Sequence, residues 1–150
     1  GAKAILDLPA TLEVLETSSV PVVGFQTDHF PAFYSLSSGL PVSVRADLPE
    51  QVALIALRHW NLGMKSAILV VAPPPAEVAL ESEAVQAAIE DALLEAKTAN
   101  IRGQATTPFL LSKVNERTQG ASLKANLGLL LNNARIAALI AVKLVEQLSG

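Results

Sequence analysis

Lys3 is the residue of this chain with the clearest capacity for chemistry. It lies two residues from the start, in Gly1-Ala2-Lys3-Ala4-Ile5-Leu6-Asp7, with apolar residues directly after it. Domains usually begin with polar, frayed residues, so this segment is more typical of the carboxyl end of a buried strand, where α/β sheets bind ligands. A lysine amine becomes a nucleophile when burial lowers its pKa and leaves it uncharged near neutral pH. A nucleophilic Lys3 is therefore one interpretation, but composition alone favours the other, an exposed terminal lysine.

Three asparagines in the last helical region are candidates for binding the polar part of a ligand. Asn126 is predicted in the first turn of that helix, where backbone N–H groups and the helix dipole attract anions such as phosphate. Its spacing equally fits an ordinary residue early in a helix. Asn132 and Asn133 lie among alanines and leucines. Because an unpaired buried amide is costly, these two either bond to a partner or line a site.

The other polar candidates have ordinary explanations. His29 and His59 are isolated and far apart in the sequence, so we predict solvated side chains rather than metal ligands. Asp7 and Asp28 are candidates for an active site, but a single aspartate is usually a cap or a turn residue. The sequence has no cysteine, which excludes disulfides and thiolate metal sites. It also contains no phosphate-loop glycine pattern, nucleophile elbow or paired-histidine metal motif.

Composition narrows the class of protein. With 150 residues, 51% of them apolar and only 17% charged, the chain is expected to fold as one domain, or part of one, with a substantial core. A net charge of −3 with scattered basic residues gives no footprint for nucleic acid. Residues 127–145 are broken by two asparagines and two basic residues, so we predict no membrane span. The expected location is the cytoplasm, because no signal peptide is visible; an organellar targeting segment ahead of residue 1 would change that expectation.

Short β-rich runs alternate with helical stretches along the chain. We predict strands at 21–25, 42–45 and 67–71, an aromatic turn at 30–34, and helices near 11–16, 47–61, 83–99, 107–120 and 122–148. Asp47, Thr107 and Ser122 are the predicted N-caps of three of these helices. Strands separated by helices predict an α/β fold with a mostly parallel sheet flanked by helices on both faces, an α/β/α arrangement.

Several distinctive blocks follow one another along essentially the whole chain. They are residues 1–3, 5–7, 11–13, 15–17, 20–28 and 30–33, Ser38-Gly39, and residues 107–111, 122–126 and 132–134. In this order and spacing they resemble the pseudouridine-5′-phosphate glycosidases, also called the indigoidine synthase A family. Family members are about twice as long, and the resemblance makes residues 1–150 the C-terminal part of a single family domain.

The resemblance implies an activity. Enzymes of this family, also termed pseudouridylate synthases, reversibly cleave the C–C glycosidic bond of pseudouridine 5′-phosphate to give uracil and ribose 5-phosphate. They use a lysine that opens the ribose ring and forms an imine at C1′ as the bond to the base is cleaved. Lys3 matches that lysine. Asn126 matches a family asparagine near the reacting sugar.

The resemblance also implies what this chain lacks. The family uses a divalent metal, typically manganese, near the phosphate, and assembles as a homotrimer. The metal aspartate, the acid glutamate and a substrate-binding lysine belong to the part that precedes Lys3, so no metal ligand is expected within this chain. Ala72 stands where the family often has an asparagine. The isolated chain is therefore expected to be inactive, and the alternative hypothesis is a non-catalytic remnant or interaction module of the same family.

Overall fold

Three short runs pair as parallel strands, and helices pack on both faces of the sheet that they form. The structure, a computed structural model, describes residues 7–149, and for Ser82 only the backbone. Within this range the elements are α1 (Leu8–Thr17), β1 (Val22–Phe25), β2 (Val44–Ala46), α2 (Pro49–Asn61), β3 (Leu69–Val71), α3 (Ser82–Thr98), a 3-10 turn (Gly103–Ala105), α4 (Thr106–Arg117) and α5 (Ala121–Ser149). Every predicted helix and strand is present, with ends that differ by a few residues.

The sheet has the order β2-β1-β3, and all its strands are parallel. Val23 of the central strand pairs with Val44 on one side and Val70 on the other. All four residues of β1 are buried, as expected for a strand covered on both faces. Gly24 has no room for a side chain, because a Cβ there would clash with the backbone carbonyl oxygen of Thr27. The chain therefore folds back tightly over the carboxyl end of β1.

The two faces of the sheet bury different helices. Val22 and Val71 point to the face covered by α1 and by Phe30. Val23 and Phe25 point to the opposite face, which is covered by α2 and by the middle of α5. This alternation follows from the two-residue period of a strand. The arrangement of helix, sheet and helix confirms the predicted α/β/α fold class.

A second core lies beside the sheet. Its buried residues come from α3, α4, the start of α5 and the aromatic turn; they are Tyr34, Val85, Ala88, Ile89, Ala92, Ala96, Leu110, Val114 and Ala125. Ala125 of α5 belongs to this cluster, whereas Ile136, eleven residues later on the same helix, belongs to the sheet core. A single helix therefore joins the two cores.

The prediction that Asp47 caps α2 is wrong. The Gln51 side-chain oxygen instead accepts hydrogen bonds from the backbone nitrogens of Asp47 (2.8 Å) and Leu48 (3.0 Å). The Asp47 carboxylate pairs with the Nε of Arg45 at 2.8 Å. The Asp47 carboxylate is therefore bound to Arg45 and does not cap the helix. Gln51 accepts from backbone donors at the start of the helix in its place.

The predicted caps of the last two helices are also misplaced. α4 begins at Thr106, because the 3-10 turn leads directly into it, so Thr107 lies inside the helix. α5 begins at Ala121, so Ser122 is helical and buried. The backbone nitrogen of Ser122 donates to the Thr118 hydroxyl (3.2 Å), which therefore satisfies a donor at the start of α5. The turn between the helices is tight, with Gly120 at φ +86°.

α5 is long and apolar enough to cross a membrane by length and hydropathy alone, and the expectation that it does not span one stays a prediction. Length and composition are weak evidence for a membrane span, since core helices of water-soluble proteins meet the same criteria. Ile136 and Ile140 of this helix pack on the sheet core.

Tyr34 gives the fold a measurable pH dependence. It is the single tyrosine of the sequence and is buried. Burial raises the pKa of its phenol above the usual 10.0, and a hydrogen bond with Ser122 partly offsets this rise. Because the folded state holds the proton more tightly, this contribution to the free energy of unfolding is present below about pH 10 and is lost as the pH rises through the folded pKa.

We therefore expect the urea midpoint of the wild-type chain to fall above pH 10, and that of Tyr34→Phe to fall less steeply. Phenolate absorbance in the ultraviolet, which reports this residue alone among tyrosines, should appear at higher pH in the folded protein than in urea. Identical titration curves in the two states would contradict the assignment.

Candidate functional site

A small cavity lies at the carboxyl end of β3, between the aromatic turn and α5. Its volume is about 160 Å³. It is lined by Phe30, Pro31, Phe33, Val70, Val71, Ala72, Asn126, Leu129, Leu130 and Asn133. Open α/β sheets bind ligands outside the carboxyl ends of their strands, so the cavity is in the expected place for a site.

Asn126 and Asn133 supply the side-chain amides of this cavity. They lie seven residues apart, about two helical turns, and therefore project from the same side of α5. Asn126 is partly buried and Asn133 is exposed. An amide both donates and accepts hydrogen bonds, so the pair is suited to hydroxyl groups of a sugar or to the edge of a base.

Asn126 lies later in the helix than we predicted. Since α5 begins at Ala121, Asn126 is in its second turn, beyond the free backbone N–H groups of the first turn. The helix dipole acts mainly within the first turn, so the argument for anion binding there does not hold. Asn126 contributes to the cavity through its side chain.

Asn132 faces an adjoining recess of about 220 Å³. Gln26, Arg135 and the prolines after β3 line the same recess. Ala72 lies between the two spaces and contacts both. The paired asparagines therefore line two different recesses.

The aromatic turn forms the opposite wall of the cavity. Phe33 has a φ of +66°, in the left-handed region that bulky residues rarely occupy. Its ring packs edge-on against Tyr34, with centroids 4.7 Å apart. Tyr34 is in turn held in the α3–α4 core, and its backbone oxygen accepts a hydrogen bond from the Leu80 nitrogen (2.8 Å). Strained backbone of this kind persists where surrounding contacts fix it, and it occurs often at functional sites.

Close packing also fixes the segment that follows β3. Gly128 of α5 approaches this segment so closely that a Cβ there would lie 2.7 Å from Val78 Cγ2. A larger residue would push the segment away from the helix. This close approach holds the segment after β3 against α5.

Two larger recesses are less suited to a phosphorylated ligand. One of about 760 Å³ lies between the start of α1, the serine-rich turn and α3, and it includes the carboxylates of Asp7, Glu83 and Glu90. These charges would repel a phosphate group. The other, about 680 Å³, lies at the amino end of the strands beside His59, away from the edge where such sheets bind ligands.

Lys3 lies outside the described residues, so its predicted role stays a prediction. Asp7, four residues further along, is the N-cap of α1, and its Oδ1 accepts from the Ala10 nitrogen at 3.0 Å. Asp28 pairs with Arg45 at 2.6 Å. His59 Nε2 lies 2.9 Å from the Ser66 hydroxyl. Each of these three side chains has a structural partner.

Residues 7–149 contain no group of three or more His, Asp or Glu side chains arranged to hold a metal ion. The described residues therefore do not form a manganese site by themselves, and we assign no reaction step to a metal. Sequence reasoning also missed Phe33 and Gly128, whose roles depend on backbone conformation and close approach. The Phe-Pro-Ala-Phe block was the available signal for Phe33.

Comparison with known proteins places the chain in a family. Residues 1–143 match the family model described as indigoidine synthase A like protein. The chain is 57% identical over 97% of its length to a pseudouridine-5′-phosphate glycosidase of Gemmatimonas aurantiaca, and 53% identical over 96% to one of Caldanaerobacter subterraneus. These matches cover 48% and 47% of the two relatives, so the chain spans about half their length.

Solved structures agree with this result. The prealnumycin C-glycosynthase AlnA, crystallised in complex with ribulose 5-phosphate, superimposes with a TM-score of 0.92 at 34% identity, over 99% of this chain and 49% of that one. An indigoidine synthase A-like protein of Thermotoga maritima gives a TM-score of 0.85 at 40% identity, over 96% and 47% of the two chains. Both resemblances extend over nearly all of the present chain. This chain therefore belongs to the indigoidine synthase A-like family, whose curated relatives are named pseudouridine-5′-phosphate glycosidases.

Proposed function

We propose that this chain provides the nucleophile and one wall of the sugar site of a pseudouridine-5′-phosphate glycosidase. The observation that carries the proposal is the cavity at the carboxyl edge of the sheet, with Asn126 in its lining, in a chain of this family. The AlnA structure holds a five-carbon sugar phosphate, which is consistent with a small phosphorylated substrate here.

In the proposed reaction, Lys3 allows the carbon atom of uracil to leave C1′ of the ribose. The lysine amine bonds to C1′ as the ribose ring opens. The bond between C1′ and the uracil carbon then breaks; its electron pair stays on uracil, which takes up a proton, and an imine remains between Lys3 and C1′. Water hydrolyses the imine, which releases ribose 5-phosphate and restores the amine. In this scheme Asn126 orients the opened sugar through its amide.

The dimensions of the cavity support a partial site. Ligand pockets typically enclose ~300 Å³ or more, whereas this one measures about 160 Å³. We therefore propose that the remaining walls, the acid glutamate and the ligand for a manganese ion lie in the half of the family fold that this chain does not span. A cytoplasmic homotrimer with no nucleic-acid or membrane partner is proposed for the full-length assembly.

A second candidate function is an interaction module without catalysis. The observation that favours it is the exposed apolar surface of α5, where Leu131 is 75% accessible. Large exposed apolar patches usually mark binding surfaces. Trapping of the sugar on Lys3 distinguishes the two candidates, because a binding module has no need of a nucleophilic amine.

We expect borohydride to trap ribose 5-phosphate on Lys3 in preference to the other lysines. Each unit by which burial lowers an amine pKa raises its uncharged fraction at neutral pH about ten-fold. The adduct is located by peptide mass spectrometry. Lys3→Arg should abolish the labelled peptide, while Lys124→Arg, a change at an exposed residue, serves as the matched control. Even labelling of all lysines would contradict a nucleophilic role.

We expect Asn126→Ala to weaken binding of ribose 5-phosphate about ten-fold, as the loss of one hydrogen bond to a ligand predicts. Because Asn126 is only partly buried, the urea midpoint should change little. Affinity is measured by calorimetry. Asn61→Ala, at the exposed end of α2, is the control and should retain wild-type affinity. Equal affinities for Asn126→Ala and wild type would exclude Asn126 from the site.

A further inference from the structure

α5 has two apolar faces, and only one of them is packed. Ala125, Leu129 and Ile136 lie on the inner face and are buried. The opposite face carries an outer stripe of exposed apolar residues, spaced three or four positions apart over most of the helix. The outer stripe consists of Leu123, Leu127, Leu130, Ala134, Ala137, Ala141, Val145 and Leu148.

The spacing of the outer stripe is that of a helix surface that packs against protein. Residues three and four apart line one side of a helix. Leu127, Leu130 and Val145 are 54%, 58% and 61% exposed. None of the four charged residues of α5 belongs to the stripe; they are Lys124, Arg135, Lys143 and Glu146. The surface is thus continuous, apolar and uncharged.

The outer stripe adjoins the candidate site. Leu130 belongs to the stripe and also lines the cavity beside Asn126 and Asn133. A body packed on the stripe would therefore lie against the open side of a cavity of about 160 Å³. Because Leu130 belongs to both surfaces, a body that docks on the stripe also contacts the cavity.

We propose that the outer stripe is the docking surface for the half of the family fold that this chain does not span. Nearly all of this chain superimposes on AlnA, yet it accounts for only 49% of that protein, and it covers 48% of the Gemmatimonas relative. The same fold thus exists beside an equal length of further polypeptide. Docking needs no continuous chain, so the half supplied as a separate polypeptide binds this surface and closes the cavity.

The test mixes this chain with the unmatched half of the Gemmatimonas aurantiaca protein, produced separately. Sedimentation velocity should show a one-to-one complex, and calorimetry should give its dissociation constant. The double change Leu127→Glu and Val145→Glu places two charges in the stripe and should raise that constant about thirty-fold or more. Both residues are exposed, so circular dichroism should show the fold retained.

Leu62→Glu is the matched control, because Leu62 is 82% exposed and follows α2 rather than lying on α5. It should leave the dissociation constant within two-fold of wild type. Failure of the halves to associate, or equal weakening by the control, overturns the proposal. If this chain dimerises by itself through the stripe, the stripe binds a second copy. If the chain binds stably to phosphatidylcholine vesicles, the stripe binds a membrane. Either result also overturns the proposal.

This docking depends on the fold rather than on the proposed reaction. The two halves could form a complex that depends on the stripe but releases no uracil from pseudouridine 5′-phosphate. That result would support the docking surface and contradict the proposed reaction. Release of uracil by this chain without the second half would instead show that the site is complete without docking.

Discussion

The inner face of α5 is the constraint on which the candidate site depends. Ala125 packs in the α3–α4 core and Ile136 packs on the sheet, so the helix is fixed at two points about three turns apart. Asn126 and Asn133 project from the stretch around and between these points. The positions of the two asparagines are therefore fixed by packing outside the cavity, and both cores keep that part of the site rigid.

The wall facing α5 is fixed by different means. The turn after β1 is tight enough to require Gly24, and the following aromatic turn holds Phe33 in a left-handed conformation. Tyr34 anchors this turn through burial in the second core, to which Ala125 of α5 also belongs. A small, precisely shaped cavity results, although the chain supplies only part of what surrounds it.

The sequence predicted features that depend on local pattern. The run at Val22–Phe25 is apolar throughout because both faces of a central strand are covered, and it is the central strand. Features that depend on contacts between distant or competing side chains were not predictable. Asp47 pairs with Arg45 instead of capping α2, and Ser122 is buried. Asn126 was predicted as a site residue from the family resemblance, whereas the Phe-Pro-Ala-Phe block marks Phe33 without predicting its left-handed backbone. Periodicity likewise shows that α5 is apolar on two sides without showing which side is left exposed.

Native-state hydrogen exchange of α5 tests most directly the claim that this helix transmits packing to the site. If the inner face holds the helix as one unit, the amides from Ala125 to Ile140 should open with a single free energy. Ile136→Ala, which removes a buried side chain about 15 Å along the helix from Asn126, should lower protection at both ends of that stretch equally. Exchange around Asn126 that is unaffected by this change would show that the site is positioned independently of the sheet core, and would contradict the account.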